Sequence, residues 1–162
     1  EKPSFDVWVA PFMQADNAKP ITVGGRSGQA NWSPDGRILY SKVGGSGETD
    51  IWAMEPDGAN ARQLTISRGL RNQAPRISIE GRHVVFISTR TGSSHIWRMD
   101  MDGNNPVQLT NSPLDYLWFN SLGCTPDGKW VVYSKYGADT GIWKVPVEGG
   151  DPVRLNNTHE AN

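Results

Sequence analysis

An all-β protein assembled from repeated four-stranded antiparallel units is what this sequence predicts, and three observations carry the prediction. Trp8, Trp52, Trp97 and Trp143 stand 44, 45 and 46 residues apart, a period that belongs to repeats of four strands and not to helical repeats of about 33 or 34 residues. Around the tryptophans the chain restates one pattern: a tight turn, an apolar strand, a strand that holds the Trp, a Gly turn and an apolar ending. Gly (18) and Pro (11) are 29 of 162 residues, above ordinary usage yet below the disordered range. Such punctuation suits many short strands joined by tight turns.

Three copies of the pattern are complete. The first runs from Asn31-Trp32-Ser33-Pro34-Asp35-Gly36 to Gln63-Leu64-Thr65, the second from Arg76-Ile77-Ser78-Ile79-Glu80-Gly81 to Gln108-Leu109-Thr110, the third from Gly123-Cys124-Thr125-Pro126-Asp127-Gly128 to Arg154-Leu155-Asn156. A half copy precedes them: Phe5-Asp6-Val7-Trp8 matches Asp50-Ile51-Trp52, and Ile21-Thr22 matches the Leu-Thr endings. In the first copy Ala30 to Ser33 reads as a strand, and Pro34-Asp35-Gly36 as a turn in which Pro fixes φ and Gly accepts a positive one. Arg37 to Lys42 returns with Ile38 and Tyr40 on one face. After the Gly44-Gly45-Ser46-Gly47 loop come Asp50 to Met54, the Pro56-Asp57-Gly58 turn and Arg62 to Thr65. The second copy offers Val84 to Ile87, Ile96 to Met99 and Val107 to Thr110; the third offers Trp130 to Tyr133, Ile142 to Val145 and Val153 to Leu155. No segment reads as a helix.

One four-stranded sheet of this size cannot bury both faces, and radial stacking of neighbours also hides most strand edges. The predicted architecture is therefore a β-propeller. The Ser-Pro-Asp-Gly turn, the Ile-Leu-Tyr or Val-Val-Tyr strand, the Asp-Ile-Trp strand and the Leu-Thr ending resemble the WD-like repeats of the TolB propeller family. Similar repeats occur in prolyl oligopeptidase-like enzymes, tricorn protease and propellers fused behind bacterial protein kinases. The resemblance covers Phe5 to Asn156 and implies a fold far more specifically than a function. A Trp-Asp ending, the mark of true WD repeats, is absent.

The whole of residues 1–162 reads as a single propeller region, with a half blade over 5–22 and blades over 30–65, 75–110 and 122–156. That is about three and a half blades, whereas propellers need four to eight. The expectation is a piece of a longer propeller; self-association through open blade flanks is the second reading, and a self-sufficient open solenoid the third.

Bulk properties narrow the function. A formal net charge of −1 gives no strong field to attract nucleic acid or an anionic membrane. A single cysteine, Cys124, excludes an internal disulfide and leaves the compartment open. No run of about 18 apolar residues predicts membrane insertion.

The repeat also weeds out site candidates. The four tryptophans recur at one position, which argues for packing between blades and against an aromatic cage. Asp6 and Asp50 precede two of them, but His95 and Gly141 hold the equivalent places, so a shared metal ring is not expected. Asp35, Asp57, Glu80, Asp102 and Asp127 have the spacing of turn acids, and no copy contains the oxygen-ligand run of a calcium loop. Ser46 lacks the spaced glycines of a nucleophile elbow. His83, His95 and His159 are scattered, and none pairs with Cys124 at metal spacing; that thiol reads as a small buried group. No catalytic residue, metal or cofactor is expected.

Connections vary where blades do not. From the apolar residue of one ending to the Gly of the next turn the chain takes 15, 17 and 19 residues, and function in repeat proteins collects in such loops. The longest holds Tyr116, Trp118 and Phe119, residue types favoured as interface anchors. Arg26, Arg68 and Arg71 fall in the other two and give that rim a positive bias suited to an acidic peptide or a carboxylate. The expected function is a non-catalytic binding module for a protein or peptide. The alternative is the accessory or sensor propeller of a multidomain enzyme, a prolyl oligopeptidase-like hydrolase or a bacterial kinase. The resemblance to the TolB group implies an extracytoplasmic site, periplasmic or secreted, in a bacterium.

Overall fold

The computed structural model describes residues 5–111, 122–137 and 139–155. Three four-stranded antiparallel sheets follow one another along the chain. The first is β3 (Ser27–Trp32), β4 (Ile38–Val43), β5 (Thr49–Met54) and β6 (Arg62–Gln63). The second is β7 (Asn72–Ile77), β8 (His83–Ser88), β9 (His95–Asp100) and β10 (Val107–Gln108), and the third β11 (Leu122–Cys124), β12 (Trp130–Lys135), β13 (Gly141–Pro146) and β14 (Val153–Arg154). Each has its strands in sequence order, as hairpin connections dictate, and none closes on itself. Before them a two-stranded sheet joins β1 (Trp8–Val9) to β2 (Lys19–Pro20). Its strands correspond to the third and fourth of a full sheet, so the half copy in the sequence is a half sheet in space.

The register confirms the repeat residue by residue. Tyr40 faces Trp52, Phe86 faces Trp97 and Tyr133 faces Trp143 across the central strand pairs. Because side chains alternate across a strand, one set of each sheet faces the preceding sheet and the other faces the following one. Val7, Ile38, Tyr40 and Met54 form a core between half sheet and first sheet, with Trp52 against it. Leu39, Ile51 and Leu64 meet Val84, Phe86, Trp97 and Met99 between first and second. Ile87, Ile96 and Leu109 meet Val131, Tyr133 and Val145 between second and third, with Trp143 alongside.

Differences from the sequence reading have local causes. The innermost strands start earlier than expected because Gln29 and Ala74, at equivalent positions, take a left-handed φ inside a register shift. Such a bulge keeps the strand paired on both sides of one extra residue. The fourth strand of the first sheet stops at Gln63, short of Thr65. There the Thr65 hydroxyl accepts the Ile51 N–H at 3.0 Å and donates to Asp50 at 2.6 Å, which takes the place of the ladder. Among the described residues one 3-10 turn, Ala15–Asn17, stands between strands. Trp8 departs from the packing expected of all four repeat tryptophans: it is 58% exposed, because no described sheet precedes the half sheet.

Candidate functional site

The two described connections between sheets lie at one rim, and a backbone bridge holds each of them there. Phe5 pairs in parallel with Arg26, and Thr49 pairs in parallel with Arg71, so these two arginines occupy equivalent places beside successive innermost strands. The Val43 N–H donates to the Arg26 carbonyl at 2.8 Å, and the Thr89 N–H to that of Arg71 at 3.0 Å. All three predicted arginines, Arg26, Arg68 and Arg71, are exposed. Arg68 has a left-handed φ of 46° in the turn that leads toward Arg71.

Beneath Arg26 opens a cleft of about 1010 Å³. Its wall runs from Phe5 and the Gly24-Gly25 pair past Ser27 and Gln29 to the Gly45–Gly47 loop and Gln73. Of the three arginines only Arg26 lines it, with one guanidinium nitrogen donating to the Gly44 carbonyl at 2.7 Å. The lining is more apolar than polar, with Phe5 and Val43 exposed in it; glycine backbone, hydroxyls and amide side chains add hydrogen-bonding groups, and Arg26 puts one cation at its edge. Tyr116, Trp118 and Phe119 lie outside the described residues.

Behind the rim a network anchored on Asp50 holds the site rigid. Asp50 is buried and accepts from Gln63 Nε2 at 3.0 Å, Thr65 Oγ1 at 2.6 Å, Asn72 Nδ2 at 3.1 Å, and the hydroxyl and N–H of Ser67 at 2.9 and 3.3 Å. A buried carboxylate is tolerated only when its lone pairs are satisfied in this way. The donors come from the end of the first sheet, the connection and the start of the second, so one side chain ties a blade to its successor. Asp6 repeats the device on a smaller scale, accepting from Thr22 Oγ1 at 2.9 Å and the Gly25 N–H at 3.1 Å. The recurrence of Asp with Thr is therefore a structural latch.

The strand tryptophan of each four-stranded sheet also carries a cation near this rim. Lys42 lies 4.7 Å from the Trp52 centroid, Arg90 4.6 Å from Trp97 and Lys135 5.5 Å from Trp143, within cation–π range. By register Lys42 and Lys135 are equivalent and Ser88 replaces them in the second sheet. Arg90 restores the charge from two residues further on, donating to Ser88 Oγ at 3.0 Å and to Asn72 Oδ1 at 3.2 Å. Burial pulls its guanidinium below the usual value, and the charge of Asp50 opposes that pull. Sequence reasoning missed Arg90 because its loop position does not match the lysines.

The remaining candidates resolve into structure. Asn31 Nδ2 donates to the Pro75 carbonyl at 2.9 Å, and Arg76 Nε at the equivalent position donates to that of Leu122 at 3.0 Å, each reaching the next innermost strand. Asp57, Asp102 and Asp127 accept a backbone N–H two residues on, and Asp35 does the same with Arg37. Glu80 departs from the turn role and lays its carboxylate against Gly128 of the next turn. Burial pushes the Cys124 thiol up to about 11, which leaves it protonated and unreactive at neutral pH.

Sheets of four antiparallel strands, stacked face to face at a near-constant repeat and latched rim to rim, define a β-propeller repeat protein. The chain belongs to the TolB beta propeller domain family, whose model matches residues 4–161. It is similar in structure to the putative TolB from Agrobacterium tumefaciens, at 27% identity and a TM-score of 0.80, over 95% of this chain and 57% of that one. It is also similar to TolB from Acinetobacter baumannii, at 21% identity and a TM-score of 0.78, over 97% of this chain and 39% of that one. A puromycin-hydrolysing peptidase of Mycobacterium tuberculosis shares the fold at 18% identity and a TM-score of 0.68, over 89% of this chain and 24% of that one. The chain thus spans well under two thirds of these proteins. No curated protein matches it in sequence. No helix among the described residues is long and apolar enough to cross a membrane.

Proposed function

We propose that this chain is a non-catalytic binding module that takes a protein or peptide segment across its connection rim. The observation that carries the reading is the cleft of about 1010 Å³ under Arg26, where exposed Phe5 and Val43 offer apolar surface and glycine backbone with Gln73 offers hydrogen bonds to an extended chain. Arg26 at its edge, with Arg68 and Arg71 exposed on the neighbouring connection, favours an acidic segment or a terminal carboxylate. Tyr116, Trp118 and Phe119 supply the anchoring rings in this reading. The likeness to TolB proteins of bacteria supports an extracytoplasmic place, periplasmic or secreted.

Titration with fluorescent acidic and basic decapeptides tests the reading. Acidic peptides bind saturably, basic ones do not, and Arg26→Glu with Arg68→Glu and Arg71→Glu weakens the acidic ones by about tenfold or more. Trp118→Ala lowers affinity while leaving the melting temperature in place. Equal binding of both peptide sets, or a collapse of stability in Trp118→Ala, would sink it. A catalytic domain joined to this propeller in the full polypeptide would favour the accessory-propeller reading.

A further inference from the structure

We propose that the connection from Ile66 to Arg71 is the recognition element of the rim, and that its ligand is an acidic segment with apolar residues set between the acids. The proposal rests on the rim reading above and narrows it from a charge preference to a residue pattern.

Ile66-Ser67-Arg68-Gly69-Leu70-Arg71 joins the first sheet to the second, both of them complete in four strands. Apolar and cationic side chains alternate along it: Ile66 is 76% and Leu70 37% exposed, and Arg68 and Arg71 are exposed beside them. The connection is held in one shape from beneath. Buried Asp50 accepts the Ser67 hydroxyl at 2.9 Å and the Ser67 N–H at 3.3 Å. At the far end the Thr49 N–H donates to the Leu70 carbonyl at 3.2 Å, and the Arg71 N–H to the Thr89 hydroxyl at 3.0 Å. A surface ordered in advance loses little conformational entropy when a ligand arrives.

The tip of the connection singles out one residue. Arg68, at a φ of 46°, and Gly69, at 91°, are successive left-handed residues closed by the Leu70 N–H on the Ser67 carbonyl at 3.0 Å, the pattern of a type I′ turn. Asn or Gly suits the first of those places, and a long side chain does not. Asn60 and Asn105 hold the left-handed places of the β5–β6 and β9–β10 turns. An arginine kept in that conformation at an exposed tip points to a task for its side chain.

Charge and continuity name the occupant. Arg71 is bridged to Thr49, and Thr49 and Gln73 line the cleft beneath Arg26, so turn and cleft form one continuous surface. A segment with one acid on Arg26 and another on Arg68 or Arg71 lays its intervening residues over apolar side chains, Val43 in the cleft and Leu70 and Ile66 on the turn. The chain's net charge of −1 favours such a local match over attraction to an anionic lipid surface.

Fluorescence anisotropy on the 162-residue chain with two labelled decapeptides, alternating Asp-Leu and alternating Asp-Ser, is the test. The Asp-Leu peptide binds about tenfold more tightly, and Ile66→Ser removes most of that preference with an unchanged melting temperature, since the side chain is exposed. Arg68→Gly weakens both peptides by about fivefold, while the melting temperature holds or rises because glycine suits the turn. Arg26→Glu weakens both and leaves the preference in place. Equal affinity for the two peptides, or a preference that survives Ile66→Ser, overturns the proposal and leaves the rim reading on its charge preference alone. Failure of both peptides to bind overturns the two together. Capture by phosphatidylglycerol vesicles in place of either peptide also overturns the proposal, and makes the turn a lipid contact.

Discussion

Trp97 and Trp8 hold the same place in the repeat, in the same kind of strand, each directly after an apolar residue, Ile96 and Val7. Trp97 is 9% exposed and Trp8 58%. The second sheet is flanked on both faces, so both alternating sets of its strands are buried: Val84 and Phe86 toward the first sheet, Val85 and Ile87 toward the third. Among the described residues the half sheet is flanked on one face, so Val7 is buried and Trp8 is not. A repeat position therefore specifies the direction in which a side chain points; the neighbour specifies whether that direction is dry. Trp32 makes the same point. Its equivalents Ile77 and Cys124 pack against cores, while Trp32 lines a groove beside Val9, Pro20 and Ile21 where the half sheet lacks its inner strands.

The sharpest way to break this comparison is to cut the same side chain in both settings. Ile96→Ala removes methyl groups from a fully buried site and costs about 4 kcal/mol, whereas Ile142→Ala, at the equivalent exposed site, costs less than about 1 kcal/mol. Urea unfolding at dilute protein measures both. Equal losses would show that the third sheet's outer face is covered in solution.

A second pair isolates close approach between sheets from backbone strain. Gly103 and Gly149 share a φ of +95°, but a Cβ at Gly103 would stand 2.5 Å from the Leu64 carbonyl oxygen of the preceding sheet, and one at Gly149 would meet nothing within 4 Å. Gly149→Ala costs about 1 kcal/mol for the left-handed conformation alone. Gly103→Ala adds the collision with backbone that cannot step aside and costs about 3 kcal/mol. Melting temperatures in the same order check it; no difference would mean that the sheets part easily.

Most of the fold was legible because tight turns and alternating apolar strands are local signals, and four tryptophans in register leave little choice of period. Burial was legible only by symmetry, and it failed for Trp8, where symmetry is broken. The site was less legible still. Arg26, Arg68 and Arg71 were read as one positive rim, yet only Arg26 lines the cleft, whose shape is set largely by Gly24, Gly25, Gly45 and Gly47, positions without side chains. Asp50 and Asp6 carried a signal in their matching Thr65 and Thr22 partners. The variation to His95 and Gly141 ruled out a metal ring, but it did not reveal a latch. Arg90 had no signal, since it reaches Trp97 from a position that the other sheets do not use.

The latch offers a third contrast between full sheet and half sheet. In Asp50→Asn an amide nitrogen replaces one acceptor amid donors from Gln63, Thr65, Ser67 and Asn72. Two donors then face each other in a buried place, at a cost of about 3 kcal/mol. Asp6 sits in a half-buried site with fewer donors, and Asp6→Asn costs about 1 kcal/mol. Hydrogen exchange at Ile51 reads the first directly, because its N–H depends on the Thr65 hydroxyl that Asp50 holds. Unchanged protection in Asp50→Asn would remove the latch from the account.

The smallest effect expected concerns the turns. In the first sheet the Arg37 side chain, donating at 2.7 and 2.9 Å, and after it the Ser33 hydroxyl, hold the Asp35 carboxyl down to about 2 from its ordinary 3.8. A depressed folded value means that the ionised form stabilises the native state above pH 3.8, and that this contribution is lost as the pH falls toward 2. The side chain is half exposed, so solvent screening leaves about 0.5 kcal/mol of it. Asp35→Asn therefore lowers stability by that amount at pH 6 and leaves it unchanged at pH 2, measured by urea unfolding at the two pH values. Glu80, at the same turn position of the second sheet, lies over Gly128, and no ion pair with Arg82, the counterpart of Arg37, is seen among the described residues, so Glu80→Gln changes stability by less than Asp35→Asn does. A larger pH dependence in Glu80→Gln than in Asp35→Asn would show that the contact between turns, and not the arginine within one, sets the acid sensitivity.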